Sequence, residues 1–337
     1  MLTAVAPVTS VHQRDVPANA IEAGEAPSEA VVETHNLTRR YGSHTIAVDK
    51  LNLTIRRGEV YGFLGPNGAG KTTTMKMLVG LIRPTSGTIT VLGKAPGAPA
   101  MLAETGSLIE APAFYPYLSG RRNLEILATY TGTPKSRVSD VLRQVELTSR
   151  ADDAFKGYSL GMKQRLGVAG ALLKDPELLI LDEPSNGLDP KGMAEMRDLI
   201  RGLRAEQRTV LVSTHLLSEI EQVCDRVGVI QHGRIVAEGT VAELRGQSRI
   251  FIRATPVDRA CGLITGFEGV SSIEVAGDGL TIAAEPALAG TINRFLVGQD
   301  IDVSELRPIE QSLEEIYLGL TDGTDEPDLK GSVVQHG

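Results

Sequence analysis

Apolar positions recur along most of the chain with one of two periods. Alternating or continuous apolar runs predict strands at residues 51–55, 59–64, 87–92, 178–181 and 209–213. Helical spacing predicts helices at residues 71–81, 159–173, 193–205 and 216–224, and two more within residues 119–150. Residues 227–230 and 234–237 predict a hairpin that turns at His232 and Gly233. Alternating strands and helices up to about residue 245 predict an α/β domain with a largely parallel sheet.

The pattern restarts after Gly246. It predicts a strand at residues 250–254, a helix, a hairpin turning at 277–279, a helix near 286–297, a short strand and a final helix around 310–319. We therefore expect a main domain over residues 31–246, with a helical subdomain at about 110–175, and a small α+β domain over 247–319. Residues 1–30 hold many Ala and Pro and no aromatic residue, which predicts a disordered extension, and residues 320–337 predict a flexible tail.

Composition excludes several classes of protein. The 337 residues carry 34 Lys and Arg against 42 Asp and Glu, a formal net charge of -8, which argues against binding nucleic acid through bulk charge. The two cysteines, Cys224 and Cys261, exclude a disulfide scaffold, and neither has a neighbour at metal-ligand spacing. No apolar run approaches the roughly 20 residues of a spanning helix, so the chain is not expected to cross a membrane by itself.

The strongest chemical signal lies between the apolar run at 59–64 and the predicted helix that follows it. This loop reads Gly65-Pro66-Asn67-Gly68-Ala69-Gly70-Lys71-Thr72-Thr73. Its glycines let backbone N–H groups surround a β-phosphate, and the helix N-terminus favours anions. Lys71 supplies a positive charge to the β- and γ-phosphates, and the Thr72 hydroxyl can ligate Mg²⁺. The loop therefore predicts binding of a nucleoside triphosphate with magnesium.

A second signal follows the apolar strand at 178–181. Asp182 and Glu183 come directly after it, at the end where ligands bind in parallel sheets. We expect Asp182 to hold Mg²⁺, and Glu183 to orient and polarise the attacking water. An acidic turn that merely closes a core strand is the alternative, and the phosphate loop makes it much less favoured.

Four further segments resemble the motifs of ATP-binding-cassette (ABC) proteins. They are Tyr41 before the phosphate loop, Ser159-Leu160-Gly161-Met162 as the signature, Ser185-Asn186-Gly187-Leu188-Asp189 as the D-loop, and Ser213-Thr214-His215 as the switch. Their order matches the family over about residues 31–245. The resemblance implies a P-loop NTPase ABC cassette, with a RecA-like core and a helical subdomain, that binds ATP and Mg²⁺.

The resemblance also implies the role of each matched residue. Tyr41 would stack on adenine, and His215 would act beside Glu183 in hydrolysis. Ser159 and Gly161 would receive the γ-phosphate held by the opposite subunit of a head-to-tail homodimer or paired cassette, and Asp189 would couple the two subunits. A separate transmembrane permease would be the partner, with this chain bound at the cytoplasmic face of the membrane.

Two departures from the wider family matter. Leu160 and Met162 stand where the usual signature has Gly and Gln, and Glu110 stands where a glutamine follows a core strand. Together with an aromatic segment, residues 114–117, these variants resemble the subgroup that exports bacitracin-type peptide antibiotics and other drugs. Glu110 is expected to contribute an oxygen ligand near the metal, or else to be a solvated loop acid. The aromatic segment is expected either to dock a partner or to form a local core.

Three functions compete. The ATP-hydrolysing subunit of an ABC exporter leads, because all the motifs fit it. A soluble ABC ATPase acting on ribosomes or DNA is the alternative, although such proteins usually join two cassettes or insert long coiled coils. A P-loop GTPase is disfavoured, because no Asn-Lys-x-Asp motif occurs. The C-terminal domain resembles that of the drug-export subgroup, and it is expected to serve dimer contact, regulation or simple stabilisation.

Overall fold

The computed structural model describes residues 29–245, 248–277 and 279–309. Residues 1–28 of the extension predicted over residues 1–30, the final helix predicted around 310–319 and the tail predicted at 320–337 lie outside the described residues. The strands are β1 (Ala30–Tyr41), β2 (Thr45–Arg56), β3 (Val60–Leu64), β4 (Ser86–Val91), β5 (Thr105–Leu108), β6 (Leu178–Asp182), β7 (Thr209–Thr214), β8 (Arg226–Gln231), β9 (Arg234–Thr240), β10 (Arg249–Thr255), β11 (Ser272–Ala276), β12 (Gly279–Ala283) and β13 (Asp302–Ile309).

The predicted helices occur between these strands in the expected order, and two short helices, at 99–104 and 241–245, were not predicted. The α-helices are α1 (Lys71–Leu78), α2 (Pro99–Glu104), α3 (Gly120–Thr131), α4 (Ser136–Gln144), α5 (Leu160–Leu172), α6 (Pro190–Ala205), α7 (Leu217–Val223), α8 (Val241–Arg245), α9 (Val257–Ile264) and α10 (Ala289–Gly298). Helix α1 is shorter than predicted, because the chain turns at Gly80 with a φ of 80°. Helix α6 starts earlier than predicted, because Asp189 caps it and Pro190 fits its first turn.

A six-stranded sheet forms the centre of the main domain, in the order β5-β6-β7-β3-β8-β9. The first five strands run parallel, and β8 and β9 form the predicted antiparallel hairpin. Every residue of β3, β6 and β7 is buried, as expected for strands covered on both faces. Leu179 and Leu181 pack among the helices between β5 and β6, while Leu178 and Ile180 pack on the opposite side with α1.

A second sheet departs from the expectation of one largely parallel sheet. Strands β2, β1 and β4 form an antiparallel sheet of their own. The runs at 51–55 and 87–92 belong to it, and β2 alternates buried and exposed positions because only one of its faces meets the core. Strand pairing cannot be read from a run of apolar residues alone, so the sequence shows the strands without their partners.

Helix α7 lies unusually close to the central strand β3. A Cβ at Gly62 would stand 2.4 Å from Ile220 Cδ1 and 2.8 Å from Cys224 Sγ. Glycine at this position therefore lets the helix pack against the strand backbone. Cys224 follows α7, and burial raises the pKa of its thiol. Both cysteines are free.

The C-terminal elements form a small α+β unit, as predicted. Its sheet has the order β11-β12-β10-β13, and α9 and α10 supply the helices, a βαββαβ arrangement of the ferredoxin-like type. Ile250, Ile252, Leu280, Ile282 and Ile292 form its buried core. Within the described parts of the chain, no helix is both long and apolar enough to span a membrane.

Candidate active site

Three neighbouring parallel strands end at one edge of the central sheet and bring the predicted motifs together. Leu64 of β3 pairs with Thr214 of β7, and Asp182 of β6 pairs with Ser213 of β7. The phosphate loop follows β3, the two carboxylates stand at the end of β6, and His215 follows β7. The motifs are far apart in the chain and adjacent here because strand carboxyl ends share this edge.

The phosphate loop wraps a small cavity in front of helix α1. The cavity has a volume of about 130 Å³, and it is lined by Ala47, Pro66, Asn67, Gly68, Gly70, Lys71, Thr72, Thr73 and Glu183. Gly70 caps α1 with a φ of 109°, and a Cβ there would stand 2.4 Å from the Ala47 carbonyl oxygen. Only glycine fits this close approach, which turns the helix N-terminus toward the cavity.

Lys71 is only 4% exposed, yet its charge is well compensated. Its Nζ donates to the Gly65 carbonyl at 2.6 Å and the Pro66 carbonyl at 3.2 Å, and it lies 3.1 Å from Glu183 Oε1. A buried ammonium needs such partners, and phosphate oxygens offer the same acceptor chemistry. The contacts hold Lys71 at the mouth of the phosphate loop.

Asp182 is held by hydroxyl groups on both of its carboxylate oxygens. Thr72 Oγ1 donates to Oδ2 at 2.7 Å, and Ser213 Oγ donates to Oδ1 at 2.6 Å. A hydroxyl and a carboxylate oxygen in contact are hard oxygen donors of the kind that Mg²⁺ takes in NTPase sites, with the remaining positions left to water and phosphate. The residues present therefore fit a magnesium ion carried in with the nucleotide.

Glu183 and His215 form the hydrolytic side of the site. His215 Nδ1 lies 3.1 Å from Glu183 Oε2, while the other carboxylate oxygen contacts Lys71. Glu183 adopts a φ of 46°, a left-handed conformation that is unusual for glutamate. Its N–H donates to Ser213 Oγ at 3.0 Å, which helps to fix this conformation. Strain of this kind commonly marks functional positions.

Ser213 belongs to the predicted switch segment, but no role in the site was predicted for it. It is buried, and its hydroxyl binds both Asp182 and the Glu183 backbone. The available signal was its position at the end of an apolar strand beside another strand that ends in two carboxylates. The pairing of β6 with β7 was needed to use that signal.

Glu110 pairs with a lysine rather than with the other carboxylates. Its side chain is 65% exposed and pairs with Lys76 Nζ at 2.5 Å. Among the described residues, no three or more His, Cys, Asp or Glu side chains group in a way that could hold a metal ion. Glu110 therefore does not group with Asp182 and Glu183 among the described residues. The partner of Glu110, Lys76, lies in α1, and the sequence motifs do not indicate that the two residues are neighbours.

The other predicted residues lie outside the phosphate cavity. Tyr41 is 41% exposed at the end of β1, with the Arg39 guanidinium 4.6 Å above its ring. Ser159 is the N-cap of α5, and its hydroxyl accepts from the Met162 N–H at 3.3 Å. A Cβ built at Gly161 would have Leu188 Cδ2 as its one near neighbour, at 3.8 Å. Asp189 caps α6 by accepting from Gly192 N–H at 2.8 Å.

The aromatic segment contains both buried and exposed rings. Phe114 packs edge-on against Phe155 with ring centroids 5.4 Å apart, in the core of the helical region. Tyr115 and Tyr117 are 58% and 80% exposed. Phe114, Tyr115 and Tyr130 line a groove of about 540 Å³ between β5 and the helices α3 and α5.

The strand-end site, the phosphate loop and the hydroxyl-bound aspartate define a P-loop nucleoside triphosphatase. A family model described as ABC transporter matches residues 48–186. The bacitracin transport ATP-binding protein BcrA of Bacillus licheniformis is 41% identical over 87% of this chain and 98% of its own length. The lantibiotic transport ATP-binding protein SrtF of Streptococcus pyogenes is 42% identical over 62% of this chain and 90% of its own length.

Solved structures agree with this assignment. The ATP-binding subunit of an ABC transporter aligns with a TM-score of 0.57 at 30% identity, over 64% of this chain and 92% of that chain. The cbiO1 protein of Clostridium perfringens, part of the transporter complex cbiONQ, aligns with a TM-score of 0.59 at 26% identity, over 71% and 96%. The chain belongs to the ATP-binding subunits of ABC transporters. It is an ATPase coupled to transport, and the interpretation as a soluble ATPase acting on ribosomes or DNA is not favoured.

Proposed function

We propose that this chain powers the export of peptide antibiotics of the bacitracin type, at the cytoplasmic face of the membrane, through a separate transmembrane permease. The convergence of Lys71, Thr72, Asp182, Glu183 and His215 at one sheet edge carries the ATPase part of the proposal. The substrate class rests on relatives that match nearly their full length and are named for bacitracin transport.

Each contact in the site supports a separate step of ATP hydrolysis. Lys71 and the N-terminus of α1 bind the β- and γ-phosphates, and Tyr41 receives the adenine. Thr72 and Asp182 would hold Mg²⁺, which would neutralise phosphate charge. Glu183 accepts a proton from the attacking water, and His215 orients the Glu183 carboxylate through its contact at 3.1 Å.

The signature segment supports a head-to-tail dimer. Ser159 and Gly161 are absent from the lining of the phosphate cavity of their own chain. Ser159 is exposed, and the free N–H groups at the start of α5 form an anion receptor. A second copy, or a paired cassette, would place its γ-phosphate there, with Asp189 and its neighbours beside the contact.

We expect Ser159→Arg to abolish hydrolysis in the dimer while the single subunit still binds ATP. The larger side chain would occupy the space that the opposite γ-phosphate needs, and it removes the N-cap of α5, at a cost of about 1 kcal/mol. Nucleotide titration at low protein concentration and steady-state ATPase assays measure the two effects. Ser119→Arg, at the N-cap of α3, matches the lost cap and should retain hydrolysis. Loss of ATP binding by dilute Ser159→Arg protein would show that the segment acts within its own subunit.

The groove beside β5 is the surface that we assign to the permease. Its lining is mainly apolar, and Tyr115 and Tyr130 expose 58% and 81% of their surface. The segment that links β5 to α3 lines one side of the groove, so a permease seated there would contact the chain next to the nucleotide core. Exposed tyrosines favour this assignment, because they bind partners at low conformational cost.

Resistance conferred on a sensitive host tests the proposed function. Co-expression of this chain with its permease should raise the inhibitory concentration of bacitracin, and the same pair with Lys71→Ala should not. Tyr130→Ala should reduce both resistance and recovery of the chain with membranes, while the ATPase activity of the purified chain is retained. Unchanged sensitivity to bacitracin despite membrane assembly and ATP turnover would refute the substrate class and leave the ATPase assignment intact.

A further inference from the structure

Glu219 carries a buried carboxylate that lies outside the phosphate cavity and contacts two other segments of the active-site region. Glu219 lies in the first turn of α7 and is 6% exposed. Ser185 Oγ donates to its Oε2 at 2.9 Å, and Arg197 Nη1 approaches its Oε1 at 3.1 Å. Each carboxylate oxygen therefore holds a different element.

The partners of Glu219 bracket one functional loop. Ser185 begins the loop at residues 185–189, two positions after Glu183. Arg197 lies in α6, which starts directly after that loop. Helix α7 itself follows His215, which contacts Glu183. Glu219 thus connects the start of the loop, and the helix α6 that follows the loop, to the helix α7 that comes after His215.

The far side of the same loop supports the signature helix. A Cβ at Gly187 would stand 3.0 Å from Leu160 Cδ2, and Leu188 Cδ2 lies 3.8 Å from the Cβ position of Gly161. The loop is therefore clamped between the start of α5 and Glu219. A shift of Ser185 would be transmitted both to the Glu183 backbone and to the residues that support Ser159.

We propose that Glu219 is a positioning residue for hydrolysis, acting through Ser185 and Arg197. It fixes the position of the loop at 185–189 relative to the Glu183–His215 pair. The Glu183 carboxylate and the signature helix α5 therefore keep the same relative position. The proposal rests on the assignment of Glu183 as the hydrolytic base. It concerns turnover and not nucleotide affinity, because neither Glu219 nor Ser185 lines the phosphate cavity.

Ser185→Ala tests the hydrogen bond between Ser185 and Glu219 with the smallest change, since it removes one hydroxyl and leaves the Arg197–Glu219 pair in place. We expect kcat for ATP to fall about ten-fold while KM stays within about two-fold, because a small misplacement of a reacting group is costly to rate. Ser185→Thr retains a hydroxyl and should restore at least about half of the rate. Steady-state ATPase assays and titration with a fluorescent ATP analogue supply both quantities.

A matched control separates positioning from simple stabilisation. Glu59 is 9% exposed and pairs with Arg226 at 3.1 Å, before β3 begins, at the opposite end of the strand from the phosphate loop. Glu59→Gln should lower the melting temperature and leave kcat unchanged, whereas Glu219→Gln should lower kcat.

Two outcomes would overturn the proposal. One is a wild-type kcat for Ser185→Ala in an assay where Glu183→Gln abolishes turnover. The other is a Ser185→Thr variant that loses as much activity as Ser185→Ala. If Glu183→Gln instead turned over at the wild-type rate, the assignment of the base would fail rather than the tie to Glu219.

Discussion

Lys71→Ala should weaken ATP binding by about a hundred-fold or more and abolish ATP-driven transport. Lys71 is the only cation of the phosphate loop, and its Nζ is already held by the Gly65 and Pro66 carbonyls at the mouth of the cavity. Loss of charged hydrogen bonds to two phosphates removes about 3 kcal/mol of binding free energy, which corresponds to that factor. Isothermal titration with MgATP measures the change.

Lys76→Ala is the matched control for this variant. Lys76 lies on the same helix, but its partner is the exposed Glu110 and it does not line the phosphate cavity. It should bind ATP with the wild-type affinity. Near-normal affinity for Lys71→Ala, or an equal loss for both variants, would contradict the role assigned to the loop.

Glu183→Gln should retain ATP binding and slow hydrolysis by about 10² to 10⁴ fold, the range typical of general-base catalysis. Glutamine removes the proton acceptor and keeps the shape, while Lys71, Thr72 and Asp182 remain to hold MgATP. It also removes a negative charge 3.1 Å from Lys71, which favours the phosphates. The variant should therefore accumulate as an ATP-bound dimer, measurable by gel filtration with MgATP.

Glu110→Gln provides the isosteric control, because it neutralises an exposed acid that pairs with Lys76. It should show the wild-type rate and the wild-type dependence on Mg²⁺ concentration. A Glu183→Gln protein that stays monomeric with MgATP, or that turns over normally, would mean that another group activates the water.

Local sequence was enough to predict the parts of the site that one continuous segment builds. The phosphate loop needs its glycines and lysine at fixed spacing. The continuous apolar run directly before Asp182 and Glu183 predicts a buried strand. Contacts between segments were different. The hydroxyl of Ser213 and the carboxylate of Glu219 become meaningful only after β6, β7 and α7 are neighbours, a relation set by the tertiary fold.

For Glu110, the local sequence suggested a contact that the structure does not show. Its place after a core strand matched a family pattern, and that match suggested a ligand near the metal. The side chain instead pairs with Lys76, which is 34 residues away in sequence. The antiparallel sheet of β1, β2 and β4 was hidden for a related reason, since an alternating strand does not specify its neighbours.

The close packing of α7 on Gly62 also determines which sulfur is chemically available. The cysteine thiolate is the nucleophile that attacks thiol-directed reagents, and burial that raises the pKa of Cys224 suppresses that form near neutral pH. Cys224 and Cys261, the latter on α9, are both of intermediate exposure, so the raised pKa of Cys224 is what separates the two thiols. A maleimide fluorophore or spin label added to the native sequence should therefore react more slowly at Cys224 than at Cys261, so that brief labelling favours the C-terminal unit and reports on its movements without any engineered cysteine.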